Sequence, residues 1–94
     1  LDGVVCVTDT VAFGAMHALK QAGRQIGRDV GLAGIGDSWA GSVTDPGLAT
    51  VRFHQKQVGQ EAARILLQML EEKEHGGPVR QVTLGYQVVE RGSL

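Results

Sequence analysis

Apolar and polar positions along the chain fall into blocks of two kinds. "GVVCV" (residues 3–7) is an uninterrupted apolar run, the pattern of a parallel strand covered on both faces, and it predicts a buried strand. "TDT" (8–10) then offers side chains suited to capping backbone N–H groups. From Val11, apolar residues recur at Ala15, Ala18, Leu19 and Ala22 until Gly23. That spacing predicts a helix ended by a glycine. "DVGLAGIG" (29–36) predicts a second strand, and "DSWAGSV" (37–43) a short helix broken by Asp45-Pro46, because the residue before proline is pushed out of helical conformation. "LATVRF" (48–53) predicts a third extended segment. Val58, Ala62, Ile65, Leu66, Met69 and Leu70 then lie at helical spacing, with Gln60, Glu61, Arg64, Gln68 and Glu71 on the other faces. They predict a long amphipathic helix. "KEHGGP" (73–78) ends it, and "RQVTLGYQVVER" (80–91) closes the chain as a strand with partial alternation. The order β-α-β-(α)-β-α-β implies an α/β fold, a parallel sheet with flanking helices.

Composition narrows what such a fold could do. With 94 residues, 43% of them hydrophobic, the chain suffices for one small domain that buries roughly two-thirds of its unfolded surface. Nine Lys and Arg stand against ten Asp and Glu, a net charge of −1. No basic field exists to draw this segment to nucleic acid or an anionic membrane. Cys6, the one cysteine, has no internal disulfide partner and reads as a buried residue in a reducing compartment, which favours the cytoplasm. No apolar stretch approaches the roughly 18 residues of a membrane span, and no basic segment precedes a hydrophobic one as in a signal peptide. The opening "LDGVV" enters a strand without Met, as expected of a piece of a longer chain.

In open parallel sheets, ligands bind beyond the carboxyl ends of the strands, where loop amides and helix N-termini converge. "TDT" leaves the first strand there and "GDSW" the second, so both should face one cleft. "GIGDSWAG" (34–41) begins like a dinucleotide loop, yet Trp39 occupies the place of the third glycine. No Lys or Arg adjoins the loop to neutralise phosphate, and Asp37 would repel it. A neutral polyol or sugar fits better: Asp37 accepts paired hydroxyl hydrogen bonds, Ser38 adds a donor and an acceptor, and the Trp39 indole covers an apolar ring face. Asp9 is read first as a helix cap and second as a ligand contact. His17, His54 and His75 are widely separated and no zinc motif is present. Ser38 lacks a G-x-S-x-G setting, and Cys6 sits in a strand body. No metal, cofactor or enzymatic role is expected.

The blocks "CVTDT" before "A-x-G-A-x-x-A-L", then "DVGLAGIGD", "P-x-L-x-T-V-R" and "G-x-x-A-A-x-x-L-L" follow in order over nearly the whole chain. Together they resemble the C-terminal part of bacterial transcriptional repressors of the lactose-repressor family, and the "GIGDS" loop is similar to that of its sucrose-type members. The resemblance implies a fragment of a type I periplasmic-binding-protein-like fold, with a sugar or sugar phosphate held between two lobes. It implies that residues 1–51 belong to the C-terminal lobe, that 52–82 form a crossing strand and a helix of the N-terminal lobe, and that 83–94 return as strand and tail. Operator DNA would be bound only through a helix-turn-helix domain absent from this sequence. A periplasmic sugar-binding protein of a transport system is the alternative.

Family members place a polar sugar-contacting residue where Thr8 stands, and some place an aromatic where Gln55 stands. Many carry an acid directly after "G-Y" or "G-F" in the loop corresponding to "GIGD"; here that position is Gly36 and the acid, Asp37, comes one residue later. The usual contact is therefore lost, or taken over by Asp37 or Ser38. Members also dimerise partly through the first helix and the segment corresponding to 41–44. On a helical wheel, Phe13, Met16, His17 and Lys20 lie opposite the Val11 stripe. A homodimer is thus expected to use Phe13, Met16, His17 and Val43, with Phe13 near the axis.

Overall fold

The computed structural model describes residues 2–72 and 80–94. The chain forms two compact units, one of Leu1–Arg52 with Tyr86–Leu94 and the other of Phe53–Gly85. The expected helix end at 73–78 lies outside the described residues.

In the first unit, β1 (Gly3–Val5), β2 (Gly31–Ile35), β3 (Ala49–Phe53) and β4 (Tyr86–Val89) form a four-stranded sheet in that order. β1 pairs parallel with β2, matching Val4 to Leu32, and β2 pairs parallel with β3, matching Gly34 to Thr50. The connection from β1 to β2 runs through α1 (Asp9–Gln21), as parallel neighbours require a crossover. Gly23, at φ 74, ends this helix: its N–H donates to Lys20 O and that of Arg24 to Leu19 O. These paired bonds satisfy carbonyls that the helix leaves open. Between β2 and β3 the predicted short helix is a 3₁₀ turn, Trp39–Ser42.

The core lies between α1 and one face of the sheet: Cys6, Ala12, Met16, Ile26, Leu32 and Leu48 are buried, with Val4, Phe13, Ala15 and Leu19 packed against them. Strand alternation explains why the first apolar run is not buried throughout, contrary to the sequence pattern. Val4 and Cys6 point toward α1, whereas Val5 and Val7, on the opposite face, are 76% and 73% exposed.

The phase of α1 also differs from expectation. Its inward line begins at Asp9 and continues through Ala12 and Met16, the i, i+3, i+7 spacing of one helix face. Val11 is 51% exposed and Ala18 and Ala22 are exposed. Met16, expected at a dimer surface, is a core residue, and Phe13 packs against the core instead of projecting away from it. The cause is Asp9, whose carboxylate is anchored inside the fold and sets the rotation of the helix.

The second unit holds α2 (Gln55–Glu71), in which no residue is buried. Leu66, Met69 and Leu70 of its predicted apolar side are exposed, as is Leu67. The expected strand from residue 80 begins only at Tyr86. Arg80, Gln81, Val82, Leu84 and Gly85 instead join Phe53, Val58, Glu61, Ala62 and Ile65 around a cavity of ≈ 400 Å³. Arg80 donates hydrogen bonds to Gln68 and Glu72.

Candidate functional site

The polar residues expected at the strand exits meet at one edge of the sheet. Thr8, not Asp9, caps α1: it is extended (φ −143, ψ 162), and its Oγ1 accepts from Val11 N at 3.3 Å. That satisfies one of the donors a helix start leaves open. Thr8 stays exposed, while the next residue turns inward.

Asp9 is 3% exposed. Its Oδ2 accepts from the Ser38 N–H at 2.7 Å and its Oδ1 from the Thr50 hydroxyl at 2.7 Å. The loops leaving β1 and β2 are thereby tied to each other and to β3. Such proximity demands glycine at position 34, since a Cβ there would stand 2.3 Å from Asp9 Oδ1 and 3.0 Å from its Cα.

Asp37 adopts a left-handed backbone, φ 55, directly after Gly36 at φ 123. Short polar side chains tolerate this region better than most. Its N–H donates to Thr50 Oγ1 at 3.2 Å. Its carboxylate accepts from Arg52 Nε at 2.6 Å through Oδ2 and from Arg91 Nη2 at 3.0 Å through Oδ1. The Arg52 hydrogen bond first, and that of Arg91 with both positive charges besides, hold the Asp37 carboxyl below its ordinary 3.8 against the opposing effect of desolvation. Arg91 also donates to Leu48 O at 2.8 Å. The Asp37 side chain therefore does not cap the 3₁₀ turn; Ser38 holds that position, with no side-chain cap bond. Trp39 opens the turn with 78% of its surface exposed.

The structure thus gathers Thr8, Asp9, Asp37, Ser38 and Trp39, and gives Asp9 a buried anchoring place instead of an open one. Gln55 opens α2 in the second unit. His17 and Val43 are exposed, and the Lys20 ammonium reaches the Asp45 carbonyl, bringing the end of α1 beside the 43–45 turn. Sequence reading missed Gly34, Thr50, Arg52 and Arg91. A glycine inside a strand signals close backbone approach, so Gly34 carried a local signal; the others act on partners too distant in sequence. Among the described residues, no group of three or more His, Cys, Asp or Glu could hold a metal ion, and no helix is long and apolar enough to cross a membrane.

A polar rim at the carboxyl ends of parallel strands, with an exposed indole beside it, defines an α/β binding domain. The chain belongs to the periplasmic binding protein-like domain family, whose model matches residues 2–94, and within it to the lactose-repressor type. It is 34% identical over 91 residues to the HTH-type transcriptional regulator RegA of Clostridium saccharobutylicum, covering 97% of this chain and 27% of that protein. It is 43% identical over 65 residues to the HTH-type transcriptional regulator MalR of Streptomyces coelicolor, covering 69% and 19%. Among solved structures it is similar to the transcriptional regulator CelR–cellobiose complex, with a TM-score of 0.87 and 29% identity over 99% of this chain and 28% of that one. A LacI family regulator from Arthrobacter sp. FB24 in complex with lactose gives a TM-score of 0.81 and 28% identity over 98% and 34%. The chain spans about a quarter of the length of RegA. These relatives are named as regulators of transcription.

Proposed function

We propose that this chain is the effector-binding and dimerisation region of a sugar-responsive transcriptional repressor acting in the cytoplasm. The observation that carries the reading is the joined edge itself. Exposed Thr8 and Trp39 flank a tied loop bearing Asp37 and Ser38, in a chain whose fold matches cellobiose- and lactose-bound regulators. The ligand is a sugar or sugar phosphate. Thr8 and Ser38 supply hydroxyl contacts, Trp39 stacks on an apolar ring face, and Asp37 takes ligand hydroxyls only through lone pairs its arginines leave open. The first unit, Leu1–Arg52 with Tyr86–Leu94, then belongs to one lobe and Phe53–Gly85 to the other. Ligand binding favours one arrangement of the lobes and so shifts the affinity of a helix-turn-helix segment, outside this sequence, for operator DNA. Homodimerisation uses the surface of His17 and Val43; Met16, being buried, drops out of it, and Phe13 contributes at most its outer edge.

The test is titration of the full-length protein with cellobiose, lactose and their phosphates, following Trp39 emission and thermal midpoint, with sedimentation for the dimer. A ligand that binds only the folded state raises the midpoint, by RT ln(1 + [L]/Kd) in free energy. The reading expects a saturable rise with at least one sugar. No rise with any of a broad sugar panel, or a strictly monomeric protein at micromolar concentration, would overturn the corresponding part.

A further inference from the structure

The sugar-facing loop owes its shape to a residue that is not itself open to a ligand. A left-handed backbone at a non-glycine residue must be held by its surroundings, and Asp37, at φ 55, is such a residue. Two consecutive amides of the loop are held. The Ser38 N–H donates directly to Asp9 Oδ2 at 2.7 Å. The Asp37 N–H donates to Thr50 Oγ1 at 3.2 Å, and the Thr50 hydroxyl in turn donates to Asp9 Oδ1 at 2.7 Å. Asp9 and Thr50 are 3% and 2% exposed. Both carboxylate oxygens of Asp9 are thus committed to loop 37–38, one directly and one through a hydroxyl that accepts from the loop while donating to the acid.

We propose that Asp9 is the positioning residue of the effector loop: its carboxylate, working with the Thr50 hydroxyl, fixes the backbone of Asp37 and Ser38 and so sets where the Asp37, Ser38 and Trp39 side chains meet a ligand. The loop-fixing part stands on the geometry alone; the effect on ligand affinity rests on the sugar-binding reading above. The relay has a direction. A hydroxyl that donates to Asp9 keeps its lone pairs for the Asp37 N–H, and Asp9→Asn leaves one accepting oxygen where two are needed, so its amide nitrogen faces either the Ser38 N–H or the Thr50 hydroxyl and one of the two bonds is lost. Thr50→Ser keeps the relay, and Thr50→Val removes it without touching Ser38.

The experiment uses the full-length protein and hydrogen exchange resolved to single amides, alongside acrylamide quenching of Trp39. Asp9→Ala is expected to speed exchange of the Ser38 amide by about tenfold or more, while the Ala49 amide, held elsewhere by Ser93, changes little; exchange reports local opening separately from global unfolding. Thr50→Val should speed Asp37 and leave Ser38 protected, and Thr50→Ser should restore the wild-type pattern. Equal acceleration at Ala49 and Ser38 in the Asp9 variants, or no change at Ser38, would overturn the proposal. If Asp9→Ala does not fold, the Thr50 pair decides: Asp37 unmoved in Thr50→Val overturns it. Cellobiose and lactose titrations separate the two readings. A wild-type protein that binds no sugar defeats the sugar reading while the exchange result stands. A wild-type protein that binds one with affinity unaltered in a loop-loosened Asp9→Asn variant defeats the positioning role.

Discussion

Ser93 offers the sharpest energetic test of how this sheet is held. It is fully buried, at 0% exposure, beside Leu32 at 0% and Ala49 at 1%. Its hydroxyl accepts from the Ala49 N–H at 2.7 Å and donates to the Leu32 carbonyl at 2.6 Å. It thus bridges β2 and β3 where their ladder begins. The backbone of the same residue adds a bond at each side, Ser93 N–H to Gly47 O at 2.9 Å and Leu32 N–H to Ser93 O at 2.7 Å. Ser93→Ala keeps the backbone bonds and deletes only the bridge, leaving a buried donor and a buried acceptor. An unsatisfied buried polar group costs about 1–3 kcal/mol, so the two together predict a loss of about 2–6 kcal/mol. That is a large fraction of the ~5–15 kcal/mol that holds a typical domain folded. Urea unfolding of the full-length protein, followed by circular dichroism, should show the midpoint lowered by about 0.7–2 M for a slope of about 3 kcal/mol per M, with the slope unchanged and faster exchange at the Ala49 amide. A loss below about 0.5 kcal/mol would refute the reasoning, since it would mean that β2 and β3 close on each other and pair directly once the hydroxyl is gone.

Asp37→Asn isolates the charge at the loop. Because the folded-state carboxyl titrates below its ordinary 3.8, the stability it contributes is fully present above that value and is lost as pH falls through the lower, folded-state value. The stability difference between wild type and variant should therefore be constant near neutrality and shrink below about pH 4, as acid titrations of the unfolding midpoint will show; a difference that grows on acidification would contradict the arginine contacts. Gly34→Ala places a Cβ 2.3 Å from Asp9 Oδ1 and 3.2 Å from its backbone nitrogen, where the start of α1 must move. A loss of about 1–3 kcal/mol is expected from such overpacking, read by the same urea titration, and unchanged stability would show the helix start to be free to shift.

The order of strands and helices was legible in the sequence because hydrophobic period follows from backbone geometry, which is local. So was the end of α1, since Gly23 takes a positive φ without steric cost, and so was the polar character of the loops that leave β1 and β2. Where each face points was not local. The rotation of α1 follows from Asp9, whose partners Ser38 and Thr50 lie 29 and 41 residues away, and no count of apolar spacing from Val11 contains them. Asp37 reads in sequence as an open acceptor for hydroxyls, but Arg52 and Arg91, 15 and 54 residues on, occupy it with two charge-assisted bonds. Ser93 gives no signal in a tail of "RGSL", yet it is buried by strands whose contacting residues lie 44 and 61 positions earlier. Period and capping are settled within a few residues of chain. A buried polar group has to find its partner wherever the fold brings one, because left unpaired in the interior it would cost more than local preference can return.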